Sequence, residues 1–270
     1  MNKASLLTAV KYAFLSLVAF AFIFPLYFMT SVSLSSKPII ESGGIIPDLY
    51  LGNWADFFDL WQLAIRNSII ISLSCIGVTL LVSFPAAYAF SRFKFMADKH
   101  LFFWFLTNRM APPICFVLPF LIMFKSLGLW DTIPGIVLAY CLFNVPIAVW
   151  LLASFMSGIP REIDDAAFID GWSVWSYWKR VFIPANKPGI AVTAFFIWMF
   201  SWTEMLMASV LTSTEAKPLT VYLLITMGRV GYGVQYGLAA AAGVFTMIPG
   251  LVLFYWVRNY LAKGFTFGRL

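Results

Sequence analysis

The chain has 270 residues, of which 61% are hydrophobic and only 11% charged, with a mean hydropathy of +0.87. This excludes a soluble domain, in which roughly 45–50% of residues are apolar. The net charge of +6 reflects topology, as its distribution shows below, and carries no nucleic-acid reading.

Six apolar runs reach the roughly 20 residues that cross a bilayer as a helix, at about 9–32, 67–90, 101–124, 133–156, 189–211 and 236–260. Apolar residues run continuously instead of alternating, which opposes a β-barrel. The fold class predicted is an all-α membrane protein with six transmembrane helices.

The first run follows Lys3 and Lys11, as a secretory signal would, and ends near the small triplet Ser31-Val32-Ser33. Its apolar stretch from Ala13 to Val32 exceeds a signal's apolar region of about 7–15 residues, so a retained span is predicted. The following segment to residue 66 holds Pro38, Gly43, Gly44 and Pro47 with the acids Glu41, Asp48, Asp56 and Asp59. It reads as a structured connector with a short amphipathic helix over Trp54–Leu63. Either it caps the helices or it docks an external protein.

In the third run, Pro112-Pro113 must break or bend the helix, and the freed carbonyls need protein or water partners, so a cavity is predicted there. Intramembrane charge costs about 2.5–3.5 kcal/mol at a helix centre, so such residues face a cavity or one another. Two qualify, Arg109 in the third run and Glu204 in the fifth. Either they pair structurally, with each other or with helix carbonyls, or they lie on a translocation path. Tyr140 and Asn144 in the fourth run, and Trp202 in the fifth, add neutral polar groups and aromatic faces suited to a hydroxyl-rich solute.

Cys75, Cys115 and Cys141 all fall inside predicted spans without C-x-x-C spacing, and read as small hydrophobes, not as disulfide or metal ligands. The single histidine, His100, reads as interfacial.

Six spans place both termini and the segments 91–100 and 157–188 on one side. That side holds 12 of the 18 basic residues, from Lys3 to Arg269; the other holds five, Arg229 among them, and Arg109 is within a span. Basic excess marks the cytoplasmic side. Both termini and the loop at 157–188 are therefore predicted to be cytoplasmic.

Residues 160–184 interrupt the apolar sequence with four acids and three bases. Pro160 suits a first helical turn, and Glu162, Asp164 and Asp165 suit the positive end of the helix dipole. Ala166 and Ala167 allow close approach by another surface, and Gly171 fits a left-handed helix cap. A second helix over Ser173–Val181, closed by Pro184, completes a helix–turn–helix knob. Trp172, Trp175, Tyr177 and Trp178 could instead rest such helices on the membrane surface, and both arrangements are compatible.

The spacing Asp165-Ala166-Ala167, then Gly171, then Val181-Phe182-Ile183-Pro184 resembles the EAA loop of ABC-importer permeases, with Asp in place of the usual Glu. Further segments, including Phe90-Ser91-Arg92-Phe93-Lys94, Leu127–Thr132, Asn144-Val145-Pro146, Trp202-Thr203-Glu204 and Lys263–Thr266, resemble the carbohydrate-uptake branch, of the maltose and glycerol-phosphate type.

The resemblance implies a type I importer permease fold in the bacterial inner membrane. It divides into a first helix with an extracytoplasmic loop (1–66), a permease core (67–260) containing the coupling loop, and a cytoplasmic tail (261–270). It implies a second permease subunit, two copies of an ABC ATPase and an extracytoplasmic solute-binding protein. Glu162, Asp165, Ala166, Ala167, Gly171 and Pro184 would contact the ATPase. The chain contains no G-x-x-x-x-G-K-[ST] loop; ATP and Mg would be bound by the partner, leaving this chain non-catalytic. An ion-coupled carrier is a different reading, and it predicts several buried acids where Glu204 stands alone.

Overall fold

Backbone groups in hydrocarbon must be satisfied within the segment, and a helix does this for every residue it contains. The computed structural model of the chain describes residues 3–228 and 235–267, and among these it is helical with no strand. Arg229 and Arg269, both used in the charge asymmetry, and the last three residues of the tail lie outside the described residues. Two units divide the chain, one of residues 1–62 with 222–249 and the other of 63–221 with 250–270.

In the first unit, α1 (Lys3–Ser33) keeps Pro25 within a continuous helix. It shows large apolar side chains such as Phe22, Ile23 and Leu17 on its exposed surface, as a helix facing lipid does. After α2 (Lys37–Glu41), the connector folds back on the end of α1. The Ser31 hydroxyl donates to Ile45 O at 2.6 Å, and Tyr50 N donates to Leu34 O at 2.8 Å. Asp48 accepts from the hydroxyl and the N–H of Ser36, which lower its carboxyl below the ordinary range.

Helix α3 (Gly52–Arg92) begins in this unit, and its first turns are the helix expected over Trp54–Leu63. It kinks at Trp61, whose φ/ψ of −116°/15° leave the helical region. Phe57 is fully buried there among Trp54, Trp61 and Phe245.

The second unit holds the rest of α3 and the helices that carry the site. They are α4 (Asp98–Met110), α5 (Ile114–Ser126), α6 (Ile133–Ser157), α7 (Arg161–Ile169), α8 (Val174–Tyr177), α9 (Ile183–Ala185), α10 (Lys187–Thr203) and α11 (Leu206–Leu211). Helix α12 (Leu219–Gly228) starts here, and α13 (Tyr236–Phe267) ends here.

Among the described residues, four helices are long and apolar enough to cross a membrane, and two bent pairs bring the number to six if each counts as one span. Four of the expected runs coincide with these continuous helices, the third with the bent pair α4 and α5, and the fifth with α10 and α11. The third run breaks by 92° between α4 and α5. Ala111 is extended there (φ −66°, ψ 132°), because a residue before proline is driven out of the helical region. The fifth run starts with α10 at Lys187, and the chain bends by 75° at Asn186 between the last loop helix and α10. The run is interrupted at Glu204, where the backbone is extended. Helix α12, ten residues long, is too short to register as a span.

Candidate functional site

The loop between α6 and α10 is the first candidate. Helix α7 ends in a Schellman cap: Gly171 adopts φ +80°, its N–H donates to Phe168 O, and Trp172 N donates to Ala167 O. A side chain at Gly171 would be strained by that φ even though open space surrounds it. The Ser173 hydroxyl then caps α8 by accepting from Ser176 N at 3.3 Å.

The second loop helix departs from expectation. Only Val174–Tyr177 is α-helical; a wider π-turn follows over Trp178–Phe182, and helical backbone continues through Pro184 to Ala185. Pro184 therefore does not close the helix. It lacks the N–H that would meet the carbonyl four residues back, and the wide turn directly before it is where the regular ladder lapses. The chain turns at Asn186 instead.

Adjacent helical residues point about 100° apart, and this separates the Ala166-Ala167 pair. Ala166 is exposed, whereas Ala167 is buried against Leu152, Met156, Tyr177 and Phe182. The two neighbouring acids part in the same way. Asp165 and Glu162 face outward, but Asp164 is 7% exposed and turned into the protein. Gly171 and Pro184 are exposed. Around them the knob shows Ile169 at 85% and Trp175 at 72% exposure, with Val174 beside them.

Beneath the knob lies a buried polar junction. Arg92, the last residue of α3, places Nε 2.6 Å from Asp164 Oδ2 and donates from a second nitrogen to Asp164 Oδ1 at 3.3 Å. The Tyr177 hydroxyl donates to the same Oδ1. The Arg92 guanidinium also lies 5.2 Å from the centre of the Phe182 ring. From sequence, Asp164 has a role in the helix dipole, and Arg92 counts towards the basic excess and stands in a resembling segment; nothing in their spacing joins residues 72 positions apart.

The second candidate is a cavity of about 210 Å³ at the break between α4 and α5. Arg109, Tyr140, Asn144 and Glu204 all line it, with Phe143, Phe200 and Thr203 completing much of the wall. Trp202 does not line it. Two residues before Glu204, it points elsewhere, buried and stacked 5.1 Å from Trp198.

The two intramembrane charges do not pair with each other, since no ion pair joins them among the described residues. Glu204 instead caps α11, its carboxylate accepting from Met207 N at 2.9 Å and Ala208 N at 3.2 Å. Its backbone carbonyl accepts from Tyr140 and Thr220 hydroxyls. Arg109 lies over the Phe200 ring at 4.2 Å. Asn144, 2% exposed, donates to Ser201 Oγ at 3.1 Å and Cys75 Sγ at 3.2 Å, while its Oδ1 finds no donor among the described residues.

The wall residue Phe200 could have been found from sequence, since it lies one helical turn before Glu204 on the same face. Phe143 carries the same signal, three residues after Tyr140 on α6.

Residues 79–267 match the model of the binding-protein-dependent transport system inner membrane component. The chain belongs to this family. It is 30% identical over 249 residues to the trehalose transport system permease protein SugB of Mycobacterium tuberculosis, with 90% of each chain covered. The diacetylchitobiose uptake system permease protein NgcG of Streptomyces coelicolor is 27% identical over 91% of this chain and 83% of that one. Among solved structures, a chain of a bacterial ABC transporter involved in import of the acidic polysaccharide alginate superposes with a TM-score of 0.81. That match covers 96% of this chain and 98% of the other at 22% identity, and so speaks to fold. The protein is accordingly a multi-pass inner-membrane permease subunit, not an enzyme.

Proposed function

We propose that this permease subunit couples a partner ATPase to import of a sugar, polyol or related small solute, and that residues 160–184 are the contact. Both termini and this loop are then cytoplasmic, with ATP and Mg held on the partner. The complete importer has a second permease subunit, two ATPase copies and an extracytoplasmic solute-binding protein.

The observation that carries this reading is the division of the loop into two faces. Its inner face is anchored by Asp164, Ala167 and Tyr177, while its outer face presents Glu162, Asp165, Ala166 and Gly171 beside the exposed Ile169 and Trp175. Exposed apolar side chains rimmed by charge favour a protein partner. Mass spectrometry of what co-purifies in mild detergent tests it. Wild type retains a P-loop ATPase, and Gly171→Asp, which puts a charged side chain on the outer face at the +80° turn, loses it. Purification alone with ATP-independent transport would move the protein to the carrier class.

The cavity at Arg109, Tyr140, Asn144 and Glu204 is assigned to the solute path. Aromatic faces and neutral hydrogen-bonding groups suit a hydroxyl-rich ligand, and the likeness to permeases named for trehalose and diacetylchitobiose uptake supports this reading. A sugar phosphate is the second reading, favoured by one observation: Arg109 has no carboxylate partner among the described residues. Competition for uptake by neutral and phosphorylated sugars separates the two.

A further inference from the structure

The cytoplasmic loop is joined to α6 before it and α10 after it by the chain itself, but α3 has no such connection. Its end reaches the loop through Arg92, 72 residues away from Asp164 in sequence. Around it Phe84 and Tyr88 meet Trp178 and Phe182 of the loop edge-to-face, and such uncharged contacts, individually weaker than a charge-assisted hydrogen bond, can slide. The charged contact does not. One guanidinium nitrogen donates to Asp164 Oδ1 and Nε lies 2.6 Å from Oδ2, a buried ion pair that holds the end of α3 at a fixed distance from the loop. Tyr177 donates to the same carboxylate from α8, so one buried group holds α3 to both limbs of the loop.

Burying an ion pair is a poor way to gain stability, because removing both charges from water cancels most of their attraction. What the arrangement supplies is a unique register. We infer that Arg92, Asp164 and Tyr177 form a clamp that makes α3 move with the cytoplasmic loop when the ATPase displaces it. Arg92 and Asp164 are positioning residues in this scheme: neither touches solute or nucleotide. Without the clamp, force on the knob reaches α6 and α10 through the chain while α3 slips on its uncharged contacts. The inference rests on the coupling role proposed for the loop.

The test uses the whole importer, purified with its ATPase and placed in nanodiscs. Spin-labelled amino acids are incorporated by codon suppression at Lys94, just beyond α3, and Lys179, on the loop; both are exposed. In wild type, the distance between the labels is expected to stay narrow and unchanged between the nucleotide-free and ATP–vanadate-trapped states. The double variant Arg92→Gln/Asp164→Asn removes both charges together and leaves no lone buried ion. It is expected to keep the narrow distribution without nucleotide and to broaden or shift only on trapping.

A double variant identical to wild type in both states overturns the clamp, as does a wild-type distance that itself shifts on trapping. Broadening already present without nucleotide would show a folding role alone and also overturn it. Failure of the ATPase to accompany wild type would instead sink the coupling reading, and the clamp with it.

Discussion

Two carboxylates of the second unit are held in opposite ways. Asp164 faces a cation and a phenol and is closed from solvent. Glu204 faces the first N–H groups of α11 and lies on a cavity wall. The first arrangement neutralises two side-chain charges against each other and leaves neither free, which suits a junction that must keep one geometry. The second satisfies an acid with a helix N-terminus and so leaves the nearby Arg109 without an acidic partner among the described residues. A cavity wall needs that freedom if solute is to provide the missing contacts. The difference separates a joint from a path.

The largest expected effect breaks the joint. Asp164→Ala leaves Arg92 buried without its carboxylate and is expected to destabilise the protein by about 3–5 kcal/mol. Thermal unfolding in detergent and recovery of the co-purifying ATPase both report it. Adding Arg92→Ala to Asp164→Ala should restore part of the loss, because the orphaned charge goes with it. A double variant as unstable as the sum of the singles would mean that the two residues act separately.

The cavity should respond more mildly and in a different measurement. Glu204→Ala removes the α11 cap and is expected to lower stability by about 0.5–2 kcal/mol, with Glu204→Gln losing less because an acceptor remains. Arg109→Gln should leave thermal stability within about 0.5 kcal/mol, since among the described residues its charge has no carboxylate partner and lies over the Phe200 ring, yet alter uptake. If Arg109→Gln destabilises as strongly as Asp164→Ala, the contrast between joint and path is lost.

Much of this contrast was legible in the sequence at the level of elements. Length and apolarity mark the long helices, Pro112-Pro113 marks the break in the third run, and Gly171 marks the loop's left-handed turn. Arg109, Tyr140, Asn144 and Glu204 can be gathered in advance because charge and amide groups are conspicuous in hydrocarbon. Trp202 misled because an aromatic side chain serves equally in packing, and helical phase turns it from the wall that Glu204 reaches. Asp164 and Asp165 are chemically identical neighbours; only the position of Arg92, set by tertiary packing, decides which one is buried. The same packing buries Ala167 and exposes Ala166. The bend at Asn186 does have a marker in Asn186 and Pro188, which stands in the first turn of α10, but Pro184 competes with it in sequence and is accommodated within helical backbone.

A third carboxylate extends the comparison and carries the smallest expected effect. Asp131, between α5 and α6, accepts from the backbone N–H groups of Ser213, Thr214, Glu215 and Ala216. Burial alone would raise its carboxyl, but the four N–H contacts outweigh that and hold it at about 2. An unfolded aspartate titrates near 3.9, so the folded protein favours the charged form. The stabilisation is therefore complete above about pH 4 and disappears as pH falls towards 2. Amide exchange at residues 213–216 should accelerate over that window in wild type. Asp131→Asn should exchange faster already at neutral pH and lose the acid dependence. Asn tolerates the residue's left-handed φ of 57° much as Asp does, so the change isolates the charge from the turn. An unaltered acid dependence in Asp131→Asn would place the titrating group elsewhere, and this carboxylate would then be one that the loop's own packing makes dispensable.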